Sequence, residues 1–172
     1  MILKAFKEKS NQKYINKLLS ERTASVHNKK INSIGVILHL NEFSDFEAIR
    51  NYFKSLGLIA NRIKIIGFAE EEKDLGYQWE TYVNSKDFGW KGKINNVELQ
   101  TFIDTEFDAL ISFYKQSSLE LNLITAQSKA NFKVGLSNKD QRLYDLIINV
   151  SPDEFNLFKN ELKKYLTVLN KL

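Results

Sequence analysis

Short, nearly unbroken apolar runs recur along this chain, each separated from the next by a stretch with helical spacing. "GVILHL" lies within Ser33–Leu40, "RIKIIGF" spans Arg62–Phe68, "FDALISFY" spans Phe107–Tyr114, "NFKVGL" begins at Asn131, and "YDLIINV" spans Tyr144–Val150. Runs this short and this apolar suit strands covered on both faces. The segments between them keep a different period. "SDFEAIRNYFKSLGL" sets Phe46, Ile49, Phe53 and Leu56 on one helical face and stops at Gly57, while the last segment sets Phe155, Phe158, Leu162, Tyr165 and Leu169 on another. "VELQTFIDTEF" and "SSLELNLITAQSKA" complete the helical set. Strands alternating with helices require crossover connections, and crossovers generate parallel pairing. The expected fold is therefore α/β: a three-layer sandwich around a mainly parallel sheet of about five strands, a Rossmann-like half-domain.

An N-terminal amphipathic helix precedes it, from about Ile2 to Arg22, with Leu3, Phe6, Tyr14 and Leu18 as the expected docking stripe and a polar gap at Ser10. The expected organisation is a basic helical arm at 1–30 and one α/β domain at 31–172, with an irregular insertion at about 69–95. At 172 residues one core is the natural outcome. No cysteine occurs, which removes disulfides and thiolate zinc sites and points to a reducing, cytoplasmic setting. No membrane span or signal core is legible at the start of the chain.

Charge is unevenly spread. Residues 1–30 carry eight Lys or Arg against two Glu, and the remainder is slightly acidic, within a net charge of +4. A basic arm on an acidic body suits contact with an acidic macromolecular surface. Lys4, Lys7, Lys13 and Lys17 are the candidate contact residues on the arm. The glycine-punctuated "DFGWKGK" adds Phe88, Trp90, Lys91 and Lys93, since aromatic anchors beside cations suit recognition loops.

Three strand-to-helix junctions carry Ser-x-x-Glu: Ser44 to Glu47, Ser117 to Glu120, and Ser151 to Glu154. In that pattern the protein's own glutamate takes a helix-start amide, which is the place a cofactor phosphate would need. Neither GxGxxG nor GxxxxGK[ST] occurs, and the loop "HLNEFSD" has no glycine. A nucleotide cofactor is therefore not expected, nor is a metal, because the two histidines, His27 and His39, lack ligand spacing. His39 with Asn41, Glu42 and Asp45 forms the alternative candidate, an acid–base or ligand site at the strand end.

The stretches "DFGWKGK", "FDALISFY", "SKANFKVGLSN" and "RLYDLIINV" resemble a small family of bacterial α/β proteins of unknown function, over nearly the whole chain. That likeness implies a domain of this length and supplies no activity. More distantly, "SDFEAI" with "FDALISF…SKANFKVGLSN" resembles the N-terminal, acceptor-side half of heptosyltransferase-like glycosyltransferases. There a Gly-Asp pair opens the first helix; Asp45 aligns with its aspartate, and Ser44 stands where that family has glycine. Function then has two expectations. The first is a non-catalytic module that binds a protein or ribonucleoprotein through the arm and the "DFGWKGK" loop. The second is a glycosyltransferase-like enzyme or small-ligand binder using Asp45 and His39.

Overall fold

Because β-branched and aromatic residues fill the apolar runs, each run pairs as a strand, and the central ones are buried on both faces. The computed structural model describes residues 1–23, 28–71, 80–136 and 139–172. Six strands form one all-parallel sheet: β1 (Ile34–His39), β2 (Ile63–Phe68), β3 (Thr81–Val83), β4 (Ala109–Phe113), β5 (Phe132–Gly135) and β6 (Leu146–Ile147). Their order is β3-β2-β1-β4-β5-β6, the doubly wound order whose direction of travel reverses between β1 and β4. The sixth strand is β3, within the expected insertion, where "YQWETYV" marks a possible strand; Tyr77, Gln78 and Trp79 lie outside the described residues.

Five helices cover the sheet: α1 (Ile2–Glu21), α2 (Phe46–Ser55), α3 (Val97–Asp104), α4 (Leu119–Gln127) and α5 (Phe155–Val168). Side chains of successive strand residues face opposite ways, so β1 serves two cores at once. Ile34, Val36 and Leu38 join Ile49 and Phe53 of α2 and Phe158 and Leu162 of α5. Ile37 faces the other way, with Leu99 and Ile103 of α3, Leu121 and Ile124 of α4, and Ile15 and Leu19 of α1. This is a three-layer sandwich with α2 and α5 on one face and α1, α3 and α4 on the other.

Two glycines permit close packing. Gly35 lets the Phe107 ring lie against β1, where a Cβ would come within 2.8 Å of it. Gly135 ends β5 under the Tyr144 ring, where a Cβ would overlap that ring.

The docking stripe of α1 differs from the expected one. Asn11, Ile15 and Leu19, spaced four apart, are the buried positions, whereas Leu3 and Phe6 are exposed. The reason is hydrogen bonding: Asn11 is satisfied inside, so a polar residue heads the buried row.

Candidate functional site

Two places gather the candidate residues. The first is the point where the sheet reverses direction. β1 ends at His39, and the chain turns at once, with the amides of Glu42 and Phe43 both donating to the His39 carbonyl. The turn is pinned on both sides. Phe43 packs edge-on against Phe113 at 5.1 Å and lies 5.1 Å from Phe155, which anchors it in the first core. Glu42 reaches across to the end of β4, where its Oε2 accepts from the amides of Lys115 (2.9 Å) and Gln116 (3.0 Å). Since α2 and α4 pack on opposite faces, a crevice is expected at this junction, and free amides there are what a bound anion would use. A carboxylate of the protein holds two of them.

The capping at these junctions differs in detail from the sequence pattern. At α2 the cap is Asp45, whose Oδ1 accepts from Ala48 N at 2.9 Å, and Glu47 pairs with Arg50 instead of reaching back. At α4 the cap is Ser118, one residue later than Ser117, accepting from Leu121 N. Only the third junction keeps the expected glutamate, with Glu154 Oε2 accepting from Ser151 N at 2.9 Å. Both departures have one cause: the helix starts a residue later than the pattern implies, so its third position is Ala48 or Leu121 rather than a glutamate.

His39 itself is buried at 1% exposure and stacks on Phe68 with ring centroids 5.9 Å apart. Its two ring nitrogens face two carboxylates, Nδ1 toward Glu42 and Nε2 toward Glu70, each at 3.6 Å, and Nδ1 has no hydrogen-bond partner among the described residues. Asp45 is exposed and engaged as the cap of α2, so its carboxylate serves the helix start rather than the His39 ring. Among the described residues no cluster of three or more His, Asp or Glu is arranged to hold a metal ion. His27 and Glu72 to Asp74 of the acidic run lie outside the described residues.

The clamp has a measurable consequence. Glu42→Ala leaves the partly buried Lys115 amide without its acceptor, at a cost of about 1–2 kcal/mol, while the exposed Gln116 amide can turn to water. The urea midpoint should fall accordingly. Sulfate at tens of millimolar should then raise the melting temperature of the variant more than that of the parent chain, because the vacated amides can donate to it. Equal sulfate responses would mean that Glu42 does not occupy an anion-competent position.

The second place joins α1 to the "DFGWKGK" segment. Phe88 and Ile94 form an antiparallel bridge that closes the loop, and Phe88 is buried in the second core, so its ring anchors the loop. Asn11 then grips the loop from both sides: its Nδ2 donates to Gly89 O at 3.0 Å, and its Oδ1 accepts from Gly92 N at 2.9 Å. Gln127 of α4 donates to Gly92 O at 3.0 Å. Trp90, Lys91 and Lys93 are left exposed beside α1, on which Lys4, Lys13 and Lys17 are exposed and Lys7 is half-buried. Two segments more than 70 residues apart in sequence are thus joined, and the loop brings Trp90 and two lysines to the side of α1 that carries Asn11. Asn11 is not among the residues that composition or motif marks; the one signal for it is its place on the row with Ile15 and Leu19.

A further cleft, about 850 Å³, opens at the opposite end of the sheet, lined by Lys29, Lys30, Arg62 and Lys171 among others. Its lysines are engaged: Lys29 with Asp108 at 3.0 Å, Lys30 with Asn170 and a Leu172 oxygen, and Lys171 over the Phe132 ring at 4.9 Å. No described helix is long and apolar enough to cross a membrane.

Residues 7–169 match the family model described as Family of unknown function (DUF6913). No curated protein and no solved structure matches the chain.

Proposed function

We propose that this chain, which belongs to that family of unknown function, is a non-catalytic α/β module that binds a protein or ribonucleoprotein partner. The surface is the one formed by α1 and the 88–93 loop. The observation that carries the reading is the Asn11 grip on Gly89 and Gly92. Through it, Trp90, Lys91 and Lys93 sit beside the row of α1 that carries Lys4 and Lys7, seven and four residues before Asn11, while Lys13 and Lys17 extend the charge around the helix; the loop is preorganised, so little ordering cost falls on binding. An exposed tryptophan among cations is the composition of an interaction hot spot with electrostatic steering. The occupancy of the switch-point amides by Glu42 supports the same reading from the other side, since it removes the feature a nucleotide cofactor would use.

The test is charge reversal at Lys4, Lys7 and Lys13 together, followed by affinity capture from the native cell. A partner that co-purifies with the parent chain should be lost from the variant, with circular dichroism unchanged. Retention of the same partner would remove α1 from the interface. The alternative, a glycosyltransferase-like or small-ligand site, draws on one observation, the unpartnered Nδ1 of His39 beside Glu42. It predicts stabilisation by a nucleotide or nucleotide-sugar. Under the proposed function none of these ligands shifts the melting temperature, and a shift of several degrees would reverse that conclusion.

A further inference from the structure

The first six residues of the chain are all exposed, and five of them are apolar: Met1, Ile2, Leu3, Ala5 and Phe6. Ile2 is 74% exposed, Leu3 73% and Phe6 58%, whereas the first buried residue of the helix is Asn11. Each residue turns the helix by about 100°, so Met1, Ile2 and Leu3 point in three directions and Phe6 fills the space between two of them. Apolar surface therefore wraps the tip on every side but that of Lys4. A groove on another protein covers one face of a helix; a tip apolar all round asks for a medium that surrounds it.

Behind the tip, the helix and its neighbouring loop have the composition of a membrane–water boundary. Lys7 and Lys9 lie on opposite sides of the helix. The loop that carries Trp90, Lys91 and Lys93 docks on the Lys7 side, gripped at Asn11, about 8 Å behind Phe6 at about 1.5 Å per residue. Tryptophan and lysine are the residues that sit at headgroup level beside an apolar segment buried in the acyl boundary. The cations select the charge of the surface. Residues 1–30 are strongly basic, so a neutral bilayer gives them nothing and an anionic one attracts each lysine. The same lysines oppose self-association through this tip, because two copies would bring like charges together.

We infer that the tip of α1 inserts into the surface of an anionic bilayer, with Trp90 and the surrounding lysines seated among the headgroups. This inference does not rest on the proposed partner: it uses residues 1–6, whereas that reading uses the flank of α1 and the loop.

The experiment uses the full chain carrying Trp79→Phe, which leaves Trp90 as the reporter, since the sequence has two tryptophans. It is mixed with phosphatidylcholine vesicles with or without about 30% phosphatidylserine. Co-sedimentation with the anionic vesicles and a blue shift of Trp90 emission are expected, with binding about tenfold or more weaker to neutral vesicles. The double variant Ile2→Glu, Phe6→Glu should lose binding by about tenfold or more while its melting temperature holds, since both side chains are free of the core. No sedimentation at millimolar anionic lipid overturns the inference. Equal binding by the double variant overturns it too, because adsorption would then be electrostatic without insertion. Nuclease-sensitive nucleic acid on the purified chain, with no vesicle binding, would assign the lysines to RNA instead. Failure of the charge-reversal capture leaves this result untouched, so the two readings stand or fall separately.

Discussion

Replacing Gly92 by alanine will lower stability by about 2–5 kcal/mol, through backbone strain and overlap acting at one position. Gly92 sits at φ +74°, the left-handed region, where an L side chain costs about 1–2 kcal/mol. A Cβ there would also overlap the ring of Tyr14 on α1, and relieving an overpacked contact costs about 1–3 kcal/mol. Neither ring nor backbone moves freely, because Gly92 is held by Asn11 through its amide and by Gln127 through its carbonyl. For a chain of this length the melting temperature should fall by roughly 5–15 °C. Two controls separate the causes. Gly89→Ala carries no positive-φ strain and meets Lys93 Cβ at 3.1 Å, a tight contact relieved by a shift of a few tenths of an ångström, so it should cost clearly less than Gly92→Ala. Tyr14→Ala added to Gly92→Ala should recover the overlap cost and leave the strain, a coupling visible in a double-mutant cycle. A Gly92→Ala chain within about 0.5 kcal/mol of the parent would show that the loop is not seated on α1.

The second large effect is a rise of stability with pH. Lys133 on β5 is buried, and its Nζ donates at 2.7 Å to the Thr125 carbonyl in the last turn of α4. Burial pushes its ammonium down from 10.5 to about 8; the Arg22 cation pushes the same way, and Asp145 opposes them. Between pH 8 and 10.5 the unfolded chain therefore binds more protons than the folded one, so stability rises through that window. Below pH 8 lysine is charged in both states and its contribution is constant. Raising the pH from about 7 to about 9.5 should add about 2 kcal/mol, visible as a higher urea midpoint. Measurements should stop before about pH 10, because burial raises the Tyr114 and Tyr144 hydroxyls, which makes their contribution fall once unfolded tyrosine ionises. Lys133→Met keeps the length of the stem and removes the charge, so its stability should lose this slope. If parent and variant keep the same slope between about pH 7.5 and about 9.5, Lys133 is not the titrating group.

The candidate surface was legible in part. "DFGWKGK" and the basic arm each stand out by composition, but nothing local to either joins them. The join is made by Asn11, a polar residue on a buried row, and its partners are backbone atoms of Gly89 and Gly92, which carry no signature of their pairing in sequence. His39 marks a strand end, yet its flanking by Glu70 arises from a neighbouring strand's exit, and its flanking by Glu42 from the tight turn that follows β1. The three Ser-x-x-Glu patterns look like three equal caps in sequence. Two of them shift, because Asp45 and Ser118 stand one residue closer to the helix and compete for the same amides.

Period alone determined the class of this fold. Apolar runs of strand length between helical stripes leave a chain few ways to bury both at once, and crossovers make the pairing parallel. Every helix and five of the six strands followed from that local rule, since side-chain burial on a strand or helix is written at spacings of two to four residues. Strand order, the seating of α1, and the bridge from Glu42 to the end of β4 were decided only by the assembled layers. Those depend on which backbone donors and acceptors meet across distances from about 15 to about 80 residues, and a backbone amide looks the same at every position of a sequence.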